Sequence, residues 1–332
     1  MLPFNLRFLM LFAMAAMAPL CAEWTLYTCM ASSKGYVVGA KLKASGLARR
    51  TAAGKWEQMS HNHPFMFAVD SHPLDVDNLY VAAGNGLIRI PRRDNPFWKI
   101  LTAEDVTELR DITIDPQGRI IFAHSAGIRL SGDRGKTWTE ITSNLPHKFS
   151  EAIRADRARP GVLLVGGEDG IWRSDNSGAR WRRAGGPGMS VMRIEQSPHN
   201  PCFWLAATEG AGVFSSTDCG QTFENLGRVG VDRNTYDIAF DPTSPNRIAL
   251  AVWGTGVVVS EDGGKTWQPR GRSLPSLEIW AVAFDPANSG RLFASVHEEA
   301  IYVSADAGLT WTRDGLEGST VSRLKFIQEP AR

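Results

Sequence analysis

The sequence lacks most of what would make a function easy to read. Charge of one sign is absent: 36 Lys and Arg stand against 35 Asp and Glu, a formal net charge of +1 over 332 residues. That balance gives no electrostatic case for a nucleic-acid partner. Helical periodicity is missing too, since no long segment repeats apolar residues at the helical period. Long apolar runs are confined to one place near the start. The stretch 8–20, after Arg7, has 13 residues, too few to span a bilayer, which takes about 20. It reads as a secretory signal, with residues 1–22 as the leader, cleavage after Ala22 and a periplasmic or extracellular product. The alternative is lipidation at Cys21, which the preceding Ala18-Pro19-Leu20 fits poorly. Cysteine is scarce, with Cys29, Cys202 and Cys219 left in the mature chain.

What the sequence does have is a repeated phrase. It reads SGDRGKTW (131–138), SDNSGARW (174–181), STDCGQTF (216–223), SEDGGKTW (260–267) and SADAGLTW (304–311). The closing aromatics Trp138, Trp181, Phe223, Trp267 and Trp311 are spaced by 43, 42, 44 and 44 residues. Stepping back by 40 and 42 reaches Trp98 and Trp56, each with a worn remnant of the phrase. A second landmark keeps the same phase: an apolar strand running into Asp-Pro, as at Asp115-Pro116, Asp241-Pro242 and Asp285-Pro286. Short β-rich runs between Gly, Asn, Asp and Pro, four to a unit, are the mark of propeller blades. The predicted fold is all-β: one seven-bladed β-propeller of four-stranded antiparallel blades over 23–332. The segment 321–327 reads as an inner strand with nothing after it, so it should complete the N-terminal blade and remove an open edge.

Within each phrase the acid or amide (Asp133, Asn176, Asp218, Asp262, Asp306) should accept backbone N–H groups across a turn. The Gly should supply a positive φ, and the aromatic should pack beneath the turn. Removing such a Trp, for example Trp267, should cost about 3–5 kcal/mol. Calcium is the competing reading, but each phrase offers one or two carboxylates where a calcium site takes six or more oxygens.

These phrases resemble the Asp-box, or BNR, repeat of sialidases, two-domain xyloglucanases, sortilin-type receptors and the photosystem II stability and assembly factor family. The likeness covers nearly all of the chain after residue 22 and speaks for fold, since the shared residues are structural. It implies two functional readings. One is a non-catalytic binding propeller of the assembly-factor kind, taking a protein or glycan partner. The other is a glycoside hydrolase or a degenerate relative of one. The sialidase Arg-Ile-Pro motif has a match in Arg89-Ile90-Pro91, but Arg89 falls on the third strand of its unit, where the sialidase arginine belongs to an inner strand. A hydrolase would also need two carboxyl groups about 5–10 Å apart.

Propellers bind at a mouth of the central channel, so the segment before each inner strand is the natural place for a site. Five residues before the Asp-Pro landmark stand Phe65, Arg110, Glu151, Met192, Tyr236, Trp280 and Arg323. Two residues earlier come His63, Glu108, Asn234 and Glu278 among others, on the same face by strand alternation. This collar mixes aromatics, arginines and carboxylates where a core would be uniformly apolar. The bland alternative is that these side chains only plug and hydrate the mouth. His61-Asn62-His63 is too small a cluster to argue for metal, and no cofactor is expected. Antiparallel pairing around 208–212 would bring Cys202 and Cys219 together, and a disulfide there suits an exported protein. Cys29 would be left unpaired in a strand. A monomer is expected.

Overall fold

The computed structural model describes residues 23–35, 44–59, 61–93, 97–186, 188–227 and 234–330. The leader reading for 1–22 lies outside them. Every regular element among the described residues is a β-strand, and no helix there is long and apolar enough to cross a membrane. The strands form seven four-stranded antiparallel sheets. From the channel outward, blades 2 to 7 follow the chain. Their inner strands are Met66–His72, Asp111–Ile114, Ser150–Ala155, Val191–Gln196, Thr235–Phe240 and Ile279–Phe284.

Blade 1 is composite. Its inner strand is the C-terminal Ser319–Gln328, paired antiparallel with Trp24–Ser32 from Trp24↔Gln328 to Ser32↔Ser319. The ring is therefore closed by backbone hydrogen bonds between the two ends of the described chain.

The apolar core is divided among the blade interfaces. Seven buried clusters each join two adjacent blades, including one between blades 7 and 1 built on Leu26, Ala281, Phe293, Ile301 and Val321. A flat four-stranded sheet has two faces to bury, and only a closed ring covers both faces of every blade.

Each repeated phrase forms the hairpin between the third and fourth strands. In blade 6, Asp262 Oδ1 accepts the N–H groups of Lys265 (3.0 Å) and Thr266 (2.9 Å) and the Ser260 hydroxyl (2.8 Å). Its Oδ2 accepts the Thr266 hydroxyl at 2.6 Å. These bonds, those from Thr266 foremost, hold the Asp262 carboxyl at about 2. Both oxygens are thus committed to the turn itself.

The aromatic does more than pack beneath its own turn. Trp138, Trp181 and Trp311 each donate Nε1–H to a carbonyl of the preceding blade, at Leu101 (3.0 Å), Ile141 (2.6 Å) and Arg270 (2.7 Å). Trp267 is the exception. It donates to Gly264 of its own turn at 3.1 Å and is only half-buried, so its removal should cost less than a fully buried Trp. In blade 5, the Cys202–Cys219 disulfide ties the phrase to the turn before the second strand. Cys29 is a free, buried strand thiol, which burial pushes up to about 12.

Candidate functional site

One irregularity recurs around the ring and builds the channel mouth. The inner and second strands slip register by one residue near the start of the inner strand: between Met66 and Ala68, Ser150 and Ala152, Val191 and Arg193, Thr235 and Asp237, and Ile279 and Ala281. Blade 1 slips at Cys29/Met30, which skips Ser322. In blade 3, the Arg110 N–H and the Asp111 pairing both fall on Ala123. Each slip is a β-bulge, which frees one residue from the ladder and re-aims its side chain. The freed residues are Phe67, Arg110, Glu151, Met192, Tyr236, Trp280 and Ser322.

The bulge explains where the sequence count holds and where it slips. Arg110, Glu151, Tyr236 and Trp280 are bulge residues. In blade 2 the ladder runs on through Ser71, so His72 rather than Asp70 occupies the landmark phase, and Phe67 replaces Phe65 as the bulge residue. In blade 1 the landmark phase falls on Ile327 rather than Gln328. Arg323 is thereby placed one step deeper, inside the channel, only 4% exposed.

The two sides of the mouth differ. On blades 6 and 7 an aromatic wall stands. Tyr236 and Trp280 stack at 4.2 Å between centroids, and Trp253 meets both edge-on at 5.7 and 5.6 Å. His297 lies 5.3 Å from Trp253, and its Nδ1 accepts the Trp280 indole N–H at 2.8 Å. Asn234 donates from Nδ2 to the Tyr236 hydroxyl at 3.2 Å, and its carbonyl accepts the Trp253 N–H at 3.0 Å. All four aromatic groups are half-buried, so each keeps surface toward solvent. Sequence reasoning missed Trp253 and His297. Their signal lies in another phase: each immediately follows the apolar run of the second strand, at the hairpin that shares this rim.

On blades 2 to 4 the mouth carries charge. The Arg110 guanidinium sits between the Phe67 and Phe149 rings, at 5.0 and 5.4 Å. Burial pushes the Glu151 carboxyl above its ordinary range, against the pull of Arg110 and Arg193. Phe65 is exposed, and its N–H is accepted by His63 Nδ1 at 3.2 Å. Glu108 is exposed at a left-handed residue (φ 54°). Glu278 is half-buried, and its carbonyl accepts the His297 N–H at 2.8 Å. Glu108, Glu151 and Glu278 thus stand on blades 3, 4 and 7, on different arcs of the rim.

Below the mouth the channel is plugged by ions. One step past the bulge, blades 3, 5, 6 and 1 contribute Asp111, Arg193, Asp237 and Arg323. Two residues further along their strands, blades 2, 4, 5 and 1 contribute Asp70, Arg154, Glu195 and Lys325. Arg323 reaches Asp111 at 3.0 Å, Arg154 bridges Asp111 (3.0 Å) and Glu195 (2.6 Å), Arg193 reaches Asp237 at 3.1 Å, and Lys325 reaches Asp70 at 2.8 Å. The plug is neutral. It also satisfies backbone groups that the innermost strands leave unpaired: Ile114 N–H binds Asp70, Ile153 N–H binds Asp111 and Val282 N–H binds Asp237. A cavity of about 390 Å³ lies at its far end, toward Pro116, Pro198 and Pro242.

The plug sets an acid limit. Burial pushes the Asp111 and Glu195 carboxyls up. The charges of Arg154, Arg323 and Arg193 outweigh that, and both are held at about 2. Carboxyls depressed in the folded state stabilise it above their unfolded pKa of about 4. That stability is lost as pH falls through the folded value. Asp237, raised by burial, works in the opposite sense. The melting temperature is expected to be flat from neutral pH down to about 5 and to fall between about pH 4 and 2. Calorimetry across that range checks this, and Arg154→Met should move the fall to higher pH.

Comparison with known proteins places this ring among others. No protein-family model matches the chain. Over 220 residues it is 23% identical to a probable oligoxyloglucan-reducing end-specific xyloglucanase of Neosartorya fischeri, a match covering 56% of this chain and 27% of that protein. The GH74 enzyme of Niastella koreensis superposes with a TM-score of 0.70 at 18% identity, covering 86% of this chain and 54% of that one. YCF48, solved bound to D1 peptide, superposes with a TM-score of 0.57 at 17% identity, covering 77% of this chain and 84% of that one. The likeness is one of fold. The chain spans only about a quarter of the curated xyloglucanase and about half of the GH74 structure, whereas the YCF48 match takes in most of both chains.

Proposed function

We propose that this protein is an exported, non-catalytic propeller that holds a segment of a protein or glycan partner against the aromatic wall at the channel mouth. The wall itself carries the reading. Tyr236, Trp253, Trp280 and His297 form one joined, half-exposed surface. Aromatic groups with a polar tip give large contact area at low entropic cost, as binding surfaces require. The plug beneath makes this mouth a shallow dish, and Arg110 with Glu151 supplies a charged side opposite the apolar one. The extent of the YCF48 likeness, and the D1 peptide bound there, support a peptide-holding role. Tyr236→Ala and Trp280→Ala should each reduce capture of the native partner from a periplasmic extract by about tenfold or more, while leaving the fold's melting temperature near wild type. Unchanged capture by both variants would remove the mouth as the site.

Hydrolysis is the second reading, favoured by the xyloglucanase relative and the raised Glu151 carboxyl. A panel of fluorogenic glycosides and xyloglucan oligosaccharides separates the two. The binding reading expects no turnover. Turnover that disappears in the Glu108→Gln, Glu151→Gln, Glu278→Gln triple variant would replace it.

A further inference from the structure

The cleft between blades 2 and 3, on the phrase-bearing side of the ring, gathers four cations around one carboxylate among the described residues, Asp75, which feels the charge of Arg89. It is a cavity of about 510 Å³ lined by Asp75, Arg89, Lys99, Thr102, Arg134 and Lys136 among others. Its one carboxylate is already engaged, since Asp75 accepts the Asn78 amide and the Tyr80 hydroxyl, both at 2.7 Å. Among the described residues, none of the four cationic groups makes a hydrogen bond or ion pair.

The rest of the ring treats cations in such places differently. In blade 4, register puts Arg173 and Arg182 where blade 2 has Arg89 and Lys99. There, Asp175 spans the two, at 2.6 and 3.6 Å. Glu261 likewise joins Arg247 and Arg270, both at 2.9 Å, and Asp314 holds Arg50 at 2.6 Å. In blade 2 the position of Asp175 is filled by Pro91, which has no charge to offer. Blade 3 adds to the imbalance, because its phrase, SGDRGKTW, carries two cations where each of the other four carries at most one. Arg134 and Lys136 also line an adjoining hollow of about 380 Å³ with His72, Gln117 and Asp133, whose carboxylate accepts from Thr137 and Ser131 of its own turn. The basic surface is therefore elongated.

We propose that this cleft is a second binding site, for a ligand carrying several sulfate or phosphate ester groups. Guanidinium and ammonium groups whose hydrogen-bonding capacity is not taken up within the described residues form charge-assisted hydrogen bonds to such oxyanions, and Arg89 can do so bidentately. The length of the paired hollows suits a ligand with more than one anionic group. This site is independent of the aromatic mouth, so failure of either reading leaves the other standing. Arg89-Ile90-Pro91 gains a role here, with Arg89 as ligand contact and Pro91 as the missing counter-ion.

The test restores that counter-ion. Binding of inorganic tripolyphosphate and of a fluorescent heparin octasaccharide is measured by calorimetry and anisotropy at low salt. Wild-type protein is expected to bind at least one probe, more weakly as salt rises, and the tighter probe distinguishes phosphate from sulfate ester. Pro91→Asp, which removes no cation, should weaken binding by about tenfold or more, while Pro91→Ala should not. Arg134→Asn with Lys136→Asn alters only exposed side chains, and Asn tolerates the left-handed conformation of residue 134. This pair should weaken binding similarly with an unchanged melting temperature. If neither probe binds, or if Pro91→Asp and the double variant both bind as wild type does, the proposal is overturned.

Discussion

Asp111→Ala is expected to destabilise the propeller by about 3–5 kcal/mol, the range for breaking a buried ion pair by removing one partner. Asp111 is fully buried and accepts from Arg154 and Arg323, both at 3.0 Å, and from the Ile153 N–H at 3.2 Å, with Arg193 at 3.6 Å. Its loss removes the carboxylate shared by guanidinium groups of blades 4, 5 and 1, leaves Glu195 and Asp237 to face them, and strands the Ile112 and Ile153 N–H donors. The effect falls on ring closure, because Arg323 belongs to the C-terminal strand that completes blade 1. Denaturant unfolding of Asp111→Ala, of Arg323→Met and of the double variant checks this. The double variant should lose less than the two single losses added together, since it removes charge of both signs. Strict additivity would mean that the plug is not a coupled network.

Trp181→Ala is the second large effect, again about 3–5 kcal/mol. Trp181 is 2% exposed, donates to the Ile141 carbonyl of the preceding blade and is held through its backbone by Asn144 at 2.8 and 2.7 Å. It joins two blades as well as closing its own turn. The same substitution at Trp267, which is half-buried and bonded within its own turn, should cost clearly less. Comparing the two in one thermal-unfolding series tests whether deep burial and a bond to the preceding blade together raise the cost. Equal losses would contradict that.

The fold was legible because its determinants are local and periodic. A left-handed Gly turn, an acid that accepts the turn's own N–H groups and an aromatic at a fixed spacing recur regardless of what each blade does. Ring closure could be read from 321–327, because an apolar strand without a following hairpin must find a partner elsewhere. The site was only partly legible. Counting from Asp-Pro found Arg110, Glu151, Tyr236 and Trp280, because the bulge keeps a fixed distance from that turn in their blades. It misplaced the positions filled by Phe67 and Ser322, because in blades 2 and 1 the turn phase falls on His72 and Ile327 and not on Asp70 and Gln328. Asp156 and Ser197 keep that phase without an Asp-Pro pair. Trp253 and His297 lie across a hairpin from the landmark, so a ruler built on inner strands passes over them. The ion plug was invisible for another reason. Arg154, Arg193, Glu195 and Arg323 alternate with apolar neighbours, as solvent-facing strand residues do, and only the closed ring turns that face inward.

The central claim is that the partner segment sits on the aromatic mouth, apart from the oxyanion cleft of blades 2 and 3 and away from the phrase hairpin of blade 7. Site-specific photo-crosslinking tests it most directly, with a benzoylphenylalanine at position 236 compared with one at position 309, where Leu309 is exposed in the blade 7 phrase. The account predicts an adduct from position 236 that Trp253→Ala diminishes, and none from position 309. An adduct from position 309 with none from position 236 would contradict it.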